Sequence, residues 1–169
     1  MSNPIKNVIL GKYVNFRLKL LQGHERVYDF STELKKVHKI LVILPSDQEY
    51  SPTMQGFIKK LSEKFNRAHV STFVSSSLRK SDIGWLGLPN EQYLKIIRDE
   101  QFDFVVDVNP QQDRICTYLC ALSGAPMRLN LTSGNYDNVY NLHFRSMENK
   151  NIDERLNNIL SYLSFLMKN

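Results

Sequence analysis

The sequence has little glycine where a nucleotide-binding site would need it. Only 7 of the 169 residues are glycine, and none lies in the loop that follows the apolar run at 39–44, the first predicted strand. That loop therefore carries neither the G-x-G-x-x-G dinucleotide fingerprint nor a phosphate-binding P-loop. We expect no dinucleotide or nucleoside triphosphate bound in the usual manner, and no cofactor.

Cysteine is scarcer still. The chain has two, Cys116 and Cys120, which lie four residues apart in a helical pattern. A disulfide between successive turns would close almost no loop and would add little stability. The histidines do not repeat at metal-ligand spacing; they are His24, His38, His69 and His143. We expect two small buried thiols and no metal site.

Long apolar runs and a catalytic serine motif are also missing. No apolar stretch approaches the roughly 18 residues that would span a bilayer. Residues 1–6 lack the charged region and apolar run of a secretory signal. No G-x-S-x-G elbow surrounds a serine. The sequence therefore predicts a cytoplasmic protein, and no residue pattern in it specifies a reaction.

Positive charge is concentrated at the N-terminal end. The chain has a formal net charge of +5, and the segment 1–39 accounts for all of it with eight basic and three acidic side chains. Six apolar side chains in the same segment recur at helical spacing: Ile5, Val8, Ile9, Tyr13, Phe16 and Leu20. This pattern predicts a basic amphipathic helix and linker at 1–36, followed by one α/β domain at 37–169.

Two interpretations of the N-terminal segment are open. Its basic residues are either the solvated back of a helix docked on its own domain, or a surface for an anionic partner such as nucleic acid or a membrane. The linker at 22–36 is polar, and the predicted sheet is complete without this helix. We therefore expect residues 1–20 to stand away from the core or to contact a protein partner or a second copy of the chain. An apolar stripe flanked by lysines would also suit peripheral docking at the inner membrane.

Strands and helices alternate along the rest of the chain. Strands are predicted at 39–44, 69–74, 102–108, 127–131 and 139–144. Helices are predicted after Ser51-Pro52, over 90–100, after Asn109-Pro110 and from Asp153. Asn109 should cap the third core helix, and Gly124 should end it in the left-handed conformation. The alternation predicts a doubly wound α/β fold with a mostly parallel five-stranded sheet in the order 2-1-3-4-5.

The central strands of such a sheet are covered on both faces. This predicts almost complete burial of six side chains in the first and third strands: Ile40, Val42, Leu44, Val105, Val106 and Val108.

For that strand order, a ligand crevice is expected at the carboxyl ends of the first and third strands. The loops there supply seven candidate ligand-binding residues: Ser46, Asp47, Gln48, Asn109, Gln111, Gln112 and Arg114. An anionic group could be held by Arg114 and by free backbone N–H groups at the start of the third core helix. The alternative assigns Ser51 and Asn109 to helix capping and Asp47 to the loop. Trp85 is either an exposed binding aromatic or a plug of the core beneath its loop.

One stretch resembles a known enzyme family. It is the run Phe-Asp-Phe-Val-Val-Asp-Val-Asn at 102–109, with D-x-x-x-D at Asp103 and Asp107, followed by a helix that ends Ser-Gly-Ala-Pro at 123–126. This arrangement resembles the N-terminal half of ADP-heptose:lipopolysaccharide heptosyltransferases. The resemblance implies a Rossmann-like half-domain of the GT-B type, and it places the family's catalytic carboxylate on Asp47.

The sequence also departs from that family. In the family a second domain holds most of the sugar nucleotide, whereas one domain is expected here. The glycine-aspartate pair of the family's first loop is replaced by Pro-Ser-Asp-Gln at 45–48. Over its whole length the chain resembles a family of short bacterial proteins with no assigned activity, through the basic N-terminal helix, the tryptophan loop at 85–89 and the Tyr162-Leu163 pair.

Three hypotheses of function follow from these patterns. The first is a non-catalytic, glycosyltransferase-like binding or accessory module. The second is a sugar-nucleotide-dependent glycosyltransferase half that a partner chain completes, with its site around Asp47, Asn109 and Arg114. In the third, the basic N-terminal helix docks the domain on a membrane surface or on nucleic acid.

Overall fold

A parallel sheet of five strands organises the chain, in a computed structural model that describes residues 12–13, 16, 29–46, 51–145 and 150–168. The strands are β1 (Lys39–Leu44), β2 (His69–Val74), β3 (Phe104–Asp107), β4 (Met127–Asn130) and β5 (Leu142–His143). They lie in the order β2-β1-β3-β4-β5, and each pair of neighbours is parallel. The predicted fold class and strand order are confirmed.

Helices cover both faces of this sheet. Those in the described part of the chain are α1 (Phe30–Leu34), α2 (Ser51–Lys64), α3 (Glu91–Asp99), α4 (Arg114–Leu122) and α5 (Ile152–Lys168). Apolar side chains of α1, α2 and α5 form one buried cluster with the sheet, whereas α3 and α4 contribute to a second cluster. Alternate residues of β1 point into the two clusters, as the period of two in a strand requires.

The predicted core is confirmed at five of its six positions. Five side chains are completely buried: Ile40, Val42, Val105, Val106 and Val108. Leu44 is only half-buried, because it is the last residue of β1 and lies at the open carboxyl edge of the sheet.

The start of α4 was predicted wrongly, because its N-cap is Asp113 rather than Asn109. The Asp113 carboxylate accepts a hydrogen bond of 2.8 Å from the backbone N–H of Cys116. The Asn109 side chain instead donates to the carboxylate of Asp107, at 2.7 Å. Asn109 and Asp113 can both cap a helix. The buried Asp107 carboxylate binds the Asn109 side chain, and Asp113 caps α4.

β5 is shorter than predicted, and α4 ends where it was predicted to end. The fifth strand was predicted over 139–144, but only Leu142 and His143 pair with β4. Asp137–Val139 forms a turn of 3-10 helix, so the chain cannot be extended there. The predicted end of α4 is confirmed, since Gly124 follows it with a φ of +79°, a conformation that glycine adopts without strain.

The N-terminal segment contacts its own domain through one described residue. Tyr13 is half-buried, and its ring centroid lies 6.3 Å from that of Tyr118 on α4. Phe16, one helical turn further, is 60% exposed. The rest of the predicted stripe lies outside the described residues: Ile5, Val8, Ile9 and Leu20. The expected contact of residues 1–20 with another chain stays a prediction.

Part of the predicted polar linker belongs to the core. The linker was expected over 22–36, and α1 lies within it. Leu34 of α1 is 1% exposed and joins the cluster that α2 and α5 cover. Its polar neighbours gave no sign of this contact in the sequence.

Asp103 joins the starts of β1 and β3. Its carboxylate accepts hydrogen bonds from the backbone N–H groups of His38 (2.8 Å) and Lys39 (2.9 Å). Its own backbone N–H donates to the carbonyl of Lys39 at 2.9 Å. Asp103, the first aspartate of the D-x-x-x-D pattern, therefore links β1 to β3 by hydrogen bonds at the amino ends of the two strands.

We expect Asp103→Ala to lower the free energy of unfolding by about 1–3 kcal/mol, because two backbone amides lose a charged hydrogen-bond partner. Urea denaturation monitored by circular dichroism measures the change. Asp99→Ala is the matched control, since it removes an exposed aspartate whose ion pair with Lys95 stabilises by only about 0.3–0.5 kcal/mol. Equal losses in the two variants would contradict the role assigned to Asp103.

Candidate functional site

The predicted crevice lies where β1 and β3 end. Ser46 follows β1, and its hydroxyl oxygen lies 2.9 Å from that of Ser75, which follows β2. Asn109 follows β3 and is buried. Asp47 and Gln48, the other two candidates in the first loop, lie outside the described residues. The structure therefore brings hydroxyl and amide groups to this edge, as the strand order requires.

The start of α4 is already occupied by a carboxylate of the protein itself. Asp113 accepts the hydrogen bond that the backbone N–H of Cys116 would otherwise offer to a ligand. Arg114, the predicted anion-binding residue, is exposed directly after this cap. Gln111 is also exposed. A ligand anion at the helix start would meet the negative charge of Asp113 as well as the helix dipole.

Gln112 stabilises the loop that follows β4 through two hydrogen bonds. Its Nε2 donates to the Asp137 carboxylate at 2.8 Å, and its Oε1 accepts from the backbone N–H of Tyr136 at 3.0 Å. Gly134 lies against this side chain, and a Cβ at position 134 would collide with the Gln112 amide. The structure therefore uses the amide of Gln112, a predicted ligand-binding residue, to hold the loop.

A buried network at the end of β3 was not recognised from the sequence. Asp107 is 3% exposed, and one of its oxygens accepts from the backbone (3.1 Å) and side-chain (2.7 Å) nitrogens of Asn109. The other oxygen accepts from the Tyr140 hydroxyl at 2.6 Å. That hydroxyl lies 3.3 Å from Thr117 Oγ1. The D-x-x-x-D pattern singled out Asp107, but nothing in the sequence linked it to Tyr140.

Burial dominates the acid–base behaviour of this edge. Desolvation raises the pKa of Asp107, although hydrogen bonds from Tyr140 and Asn109 oppose the rise. Burial also raises the pKa of both thiols, Cys116 and Cys120. Cysteines react as thiolates, and the raised pKa disfavours that form in both. No group of three or more potential metal ligands occurs within the described ranges.

Trp85 does not plug the core. Its side chain is 76% exposed, whereas Leu88 at the end of the same loop is 3% exposed and packs beneath it. The loop is a tight turn, in which the backbone N–H of Gly87 donates to the carbonyl of Gly84 at 2.9 Å. Gly84 in turn donates to the Leu88 carbonyl at 2.8 Å. A short hydrogen-bonded turn thus presents an indole ring to solvent.

Comparison with known proteins gives one match. Residues 6–166 match a family described as "Family of unknown function (DUF6913)". No curated protein and no solved structure matches the chain. Among the helices that the structure describes, none has the length and apolarity needed to cross a membrane. The resemblance to heptosyltransferases stays a prediction.

We expect Gly134→Ala to destabilise the protein by about 1–3 kcal/mol, because the added methyl group would displace Gln112 from its hydrogen bonds. In a Gln112→Ala background the same change should cost less, since the obstructing side chain is gone. A double-mutant cycle built from urea denaturation measures the coupling, which should be about 0.5–3 kcal/mol. Additive effects would show that the two residues do not interact.

We also expect Asp107→Asn to change how stability depends on pH. A raised folded-state pKa means that the carboxyl contributes stability below the unfolded-state pKa of about 3.9, and that this contribution is lost as the pH rises through the folded-state value. Asparagine does not titrate, so Asp107→Asn does not lose this contribution. Its stability should therefore rise relative to that of the native chain as the pH rises above about 4. Urea denaturation at several pH values measures this, with Asp99→Asn as the control for removal of one carboxylate. Parallel pH profiles of the native chain and Asp107→Asn would contradict the burial effect.

Proposed function

The chain belongs to DUF6913, a family of unknown function, and we propose that it is a non-catalytic, glycosyltransferase-like module that binds a partner in the cytoplasm. One observation carries this proposal: three polar side chains at the carboxyl edge of the sheet are engaged in hydrogen bonds within the protein. Asp113 caps α4, Gln112 holds the loop after β4, and Asp107 is bound by Asn109 and Tyr140.

Catalysis of group transfer would need groups at this edge that are free to move protons or to bind a leaving group. Asp107 is buried, and removing either of its partners would leave a buried charge with fewer hydrogen bonds. Asp113 is held by a backbone amide. These groups serve the fold, which supports a binding role over a catalytic one.

Exposed aromatic side chains support partner binding. Phe16 is 60% exposed on the N-terminal segment and Trp85 is 76% exposed on its turn, while Phe165 and Tyr162 on α5 are also exposed. Large aromatic side chains are frequent anchors of protein interfaces, because each buries much area at little cost in entropy. We propose that residues 1–20 contact a protein partner or a second copy of the chain.

Specific observations favour each of two other functions. Arg114 is exposed beside the crevice and makes no ion pair among the described residues, which would suit a sugar-nucleotide-dependent glycosyltransferase half completed by a partner chain. The basic excess of segment 1–39 and the exposure of Phe16 would suit peripheral docking on the inner membrane or on nucleic acid.

Incubation of the purified protein with ADP-, UDP- and GDP-sugars tests the leading proposal. We expect no release of nucleotide above the rate without protein, because Asp107 is buried and Asp113 is engaged in capping α4. Chromatography of the released nucleotide measures this. Turnover that Arg114→Ala abolishes would overturn the proposal, provided that Arg98→Ala, a matched arginine on α3, leaves the turnover intact.

A further inference from the structure

The two edges of the sheet are protected to different degrees. β5, at one edge, pairs with β4 only through Leu142 and His143, and a very short edge strand is one way in which proteins prevent a sheet from pairing with another chain. β2, at the other edge, is six residues long and pairs with β1 at every position from His69 to Val74. The outer side of β2 is therefore the longer edge, and it can accept a further strand.

Alternate residues of β2 direct their backbone groups away from β1. The N–H of His69 donates to the carbonyl of His38 at 2.7 Å, on the side where β1 lies. Because successive residues of a strand alternate in direction, the residues at 71 and 73 also bond to β1. The N–H and C=O groups of Val70, Thr72 and Val74 therefore point outward.

These outward groups have few partners in the part of the chain that the structure describes. The Val74 carbonyl accepts a hydrogen bond of 2.7 Å from the Ser77 hydroxyl. No hydrogen bond from another described segment reaches the outward groups of Val70 or Thr72, and Thr72 is exposed. Within the described ranges, neither a helix nor a loop closes the edge at its middle.

The sequence of β2 also lacks the residues that usually protect an edge. Proteins place lysine, other charged residues, proline or a bulge on exposed edge strands. Residues 68–78 contain no aspartate, glutamate, lysine, arginine or proline, and the unbroken register with β1 leaves no bulge in β2. Two copies of a chain with a formal net charge of +5 can approach each other here without bringing lysine or arginine side chains together.

The order of residues in β2 fits antiparallel pairing with a second copy of itself. Val70 and Val74 lie two residues before and two residues after Thr72. When two copies pair with Thr72 opposite Thr72, each Val70 lies opposite Val74 of the other copy. Pairs of β-branched residues and pairs of threonines are favourable across antiparallel strands. The outward peptide groups of these three residues then meet in hydrogen-bonded pairs.

An exposed isoleucine lies beside the same edge. The ring of Tyr93 on α3 packs against that of Phe73 on β2, with centroids 6.4 Å apart. Ile96 follows three residues later on the same side of the helix, and it is 56% exposed. Because α3 connects two parallel strands, it runs opposite to them. Ile96 therefore lies about 4.5 Å nearer the start of β2 than Tyr93, at about the level of Thr72.

We propose that β2 is the interface of a homodimer, in which two copies of the chain join their sheets into one continuous sheet. β2 of one copy pairs antiparallel with β2 of the other, and the two-fold axis passes between the two Thr72 residues. This axis is perpendicular to the sheet, so α3 lies on the same side in both copies and the two Ile96 side chains approach each other across it. The interface does not use residues 1–20 and does not rest on the function proposed above.

Charged substitutions at Thr72 test the two-fold arrangement, with sedimentation equilibrium of the full chain as the measurement. We expect the native protein to have twice the chain mass of 19.7 kDa. Thr72→Lys and Thr72→Glu should each raise the dimer dissociation constant at least tenfold, because like charges then lie directly opposite each other. An equimolar mixture of the two variants should recover dimers, since opposite charges face each other in it. Thr72→Val is the matched control, which stays β-branched and uncharged and should remain dimeric.

Three results would overturn the proposal. A monomeric native protein would show that the edge takes no second copy. Unchanged dimers in both Thr72→Lys and Thr72→Glu would place self-association elsewhere on the chain. A mixture of the two variants that stays monomeric would show that residue 72 does not face its own copy. Circular dichroism checks that each variant is folded, as we expect for substitutions at an exposed position.

Amide hydrogen exchange measures the pairing at the backbone itself. The Thr72 N–H should exchange at least tenfold more slowly in native protein above the dimer dissociation constant than in protein diluted below it. The Ser71 N–H is the internal control, because it points to β1 within each copy and should be protected equally at both concentrations. Exchange at Thr72 that does not depend on concentration would contradict pairing through β2, even in a protein that is dimeric.

Discussion

Pairing of β1 with β3 is the constraint on which the rest of the structure depends. Helices cover both strands on both faces, so every backbone group must be satisfied by a neighbouring strand, and the strand ends need polar partners. Asp103 meets this need at the amino end, where its carboxylate binds two backbone amides at the start of β1. Asp107 meets it at the carboxyl end through Asn109 and Tyr140. The D-x-x-x-D pattern thus has a structural role at both of its positions.

Two surfaces of the protein differ in how their polar groups are engaged. At the carboxyl edge, polar groups such as Gln112 and Asp113 are engaged in holding loops and helix starts. Between α2 and α5, Lys60 and Lys64 donate hydrogen bonds to the neutral oxygens of Asn157 and Ser164. Fold-level analogy places ligands at the first surface.

Much of the fold could be predicted because each element has a local signal. β2 begins and ends as predicted at 69–74, since a run of branched and aromatic residues lies between polar boundaries. Prediction was wrong where two local signals competed. Asn109 and Asp113 can both cap a helix, and only the position of Asp107 decides between them. The strand order located the candidate crevice. The roles of its side chains depend on contacts with residues that are distant in the sequence, such as Gln112 with Asp137 and Asp107 with Tyr140.

By itself, the sequence determined the order of strands and helices, the burial of the central strands and the concentration of basic charge at 1–39, because all of these depend on periodicity and composition along the chain. Only the tertiary structure decided which polar groups meet. Lys60 and Asn157 are 97 residues apart in the chain, and Tyr140 and Asp107 are 33 apart. Such pairs form when packed helices and parallel strands bring distant segments together, and the geometry of that packing, which no local pattern encodes, selects the partners.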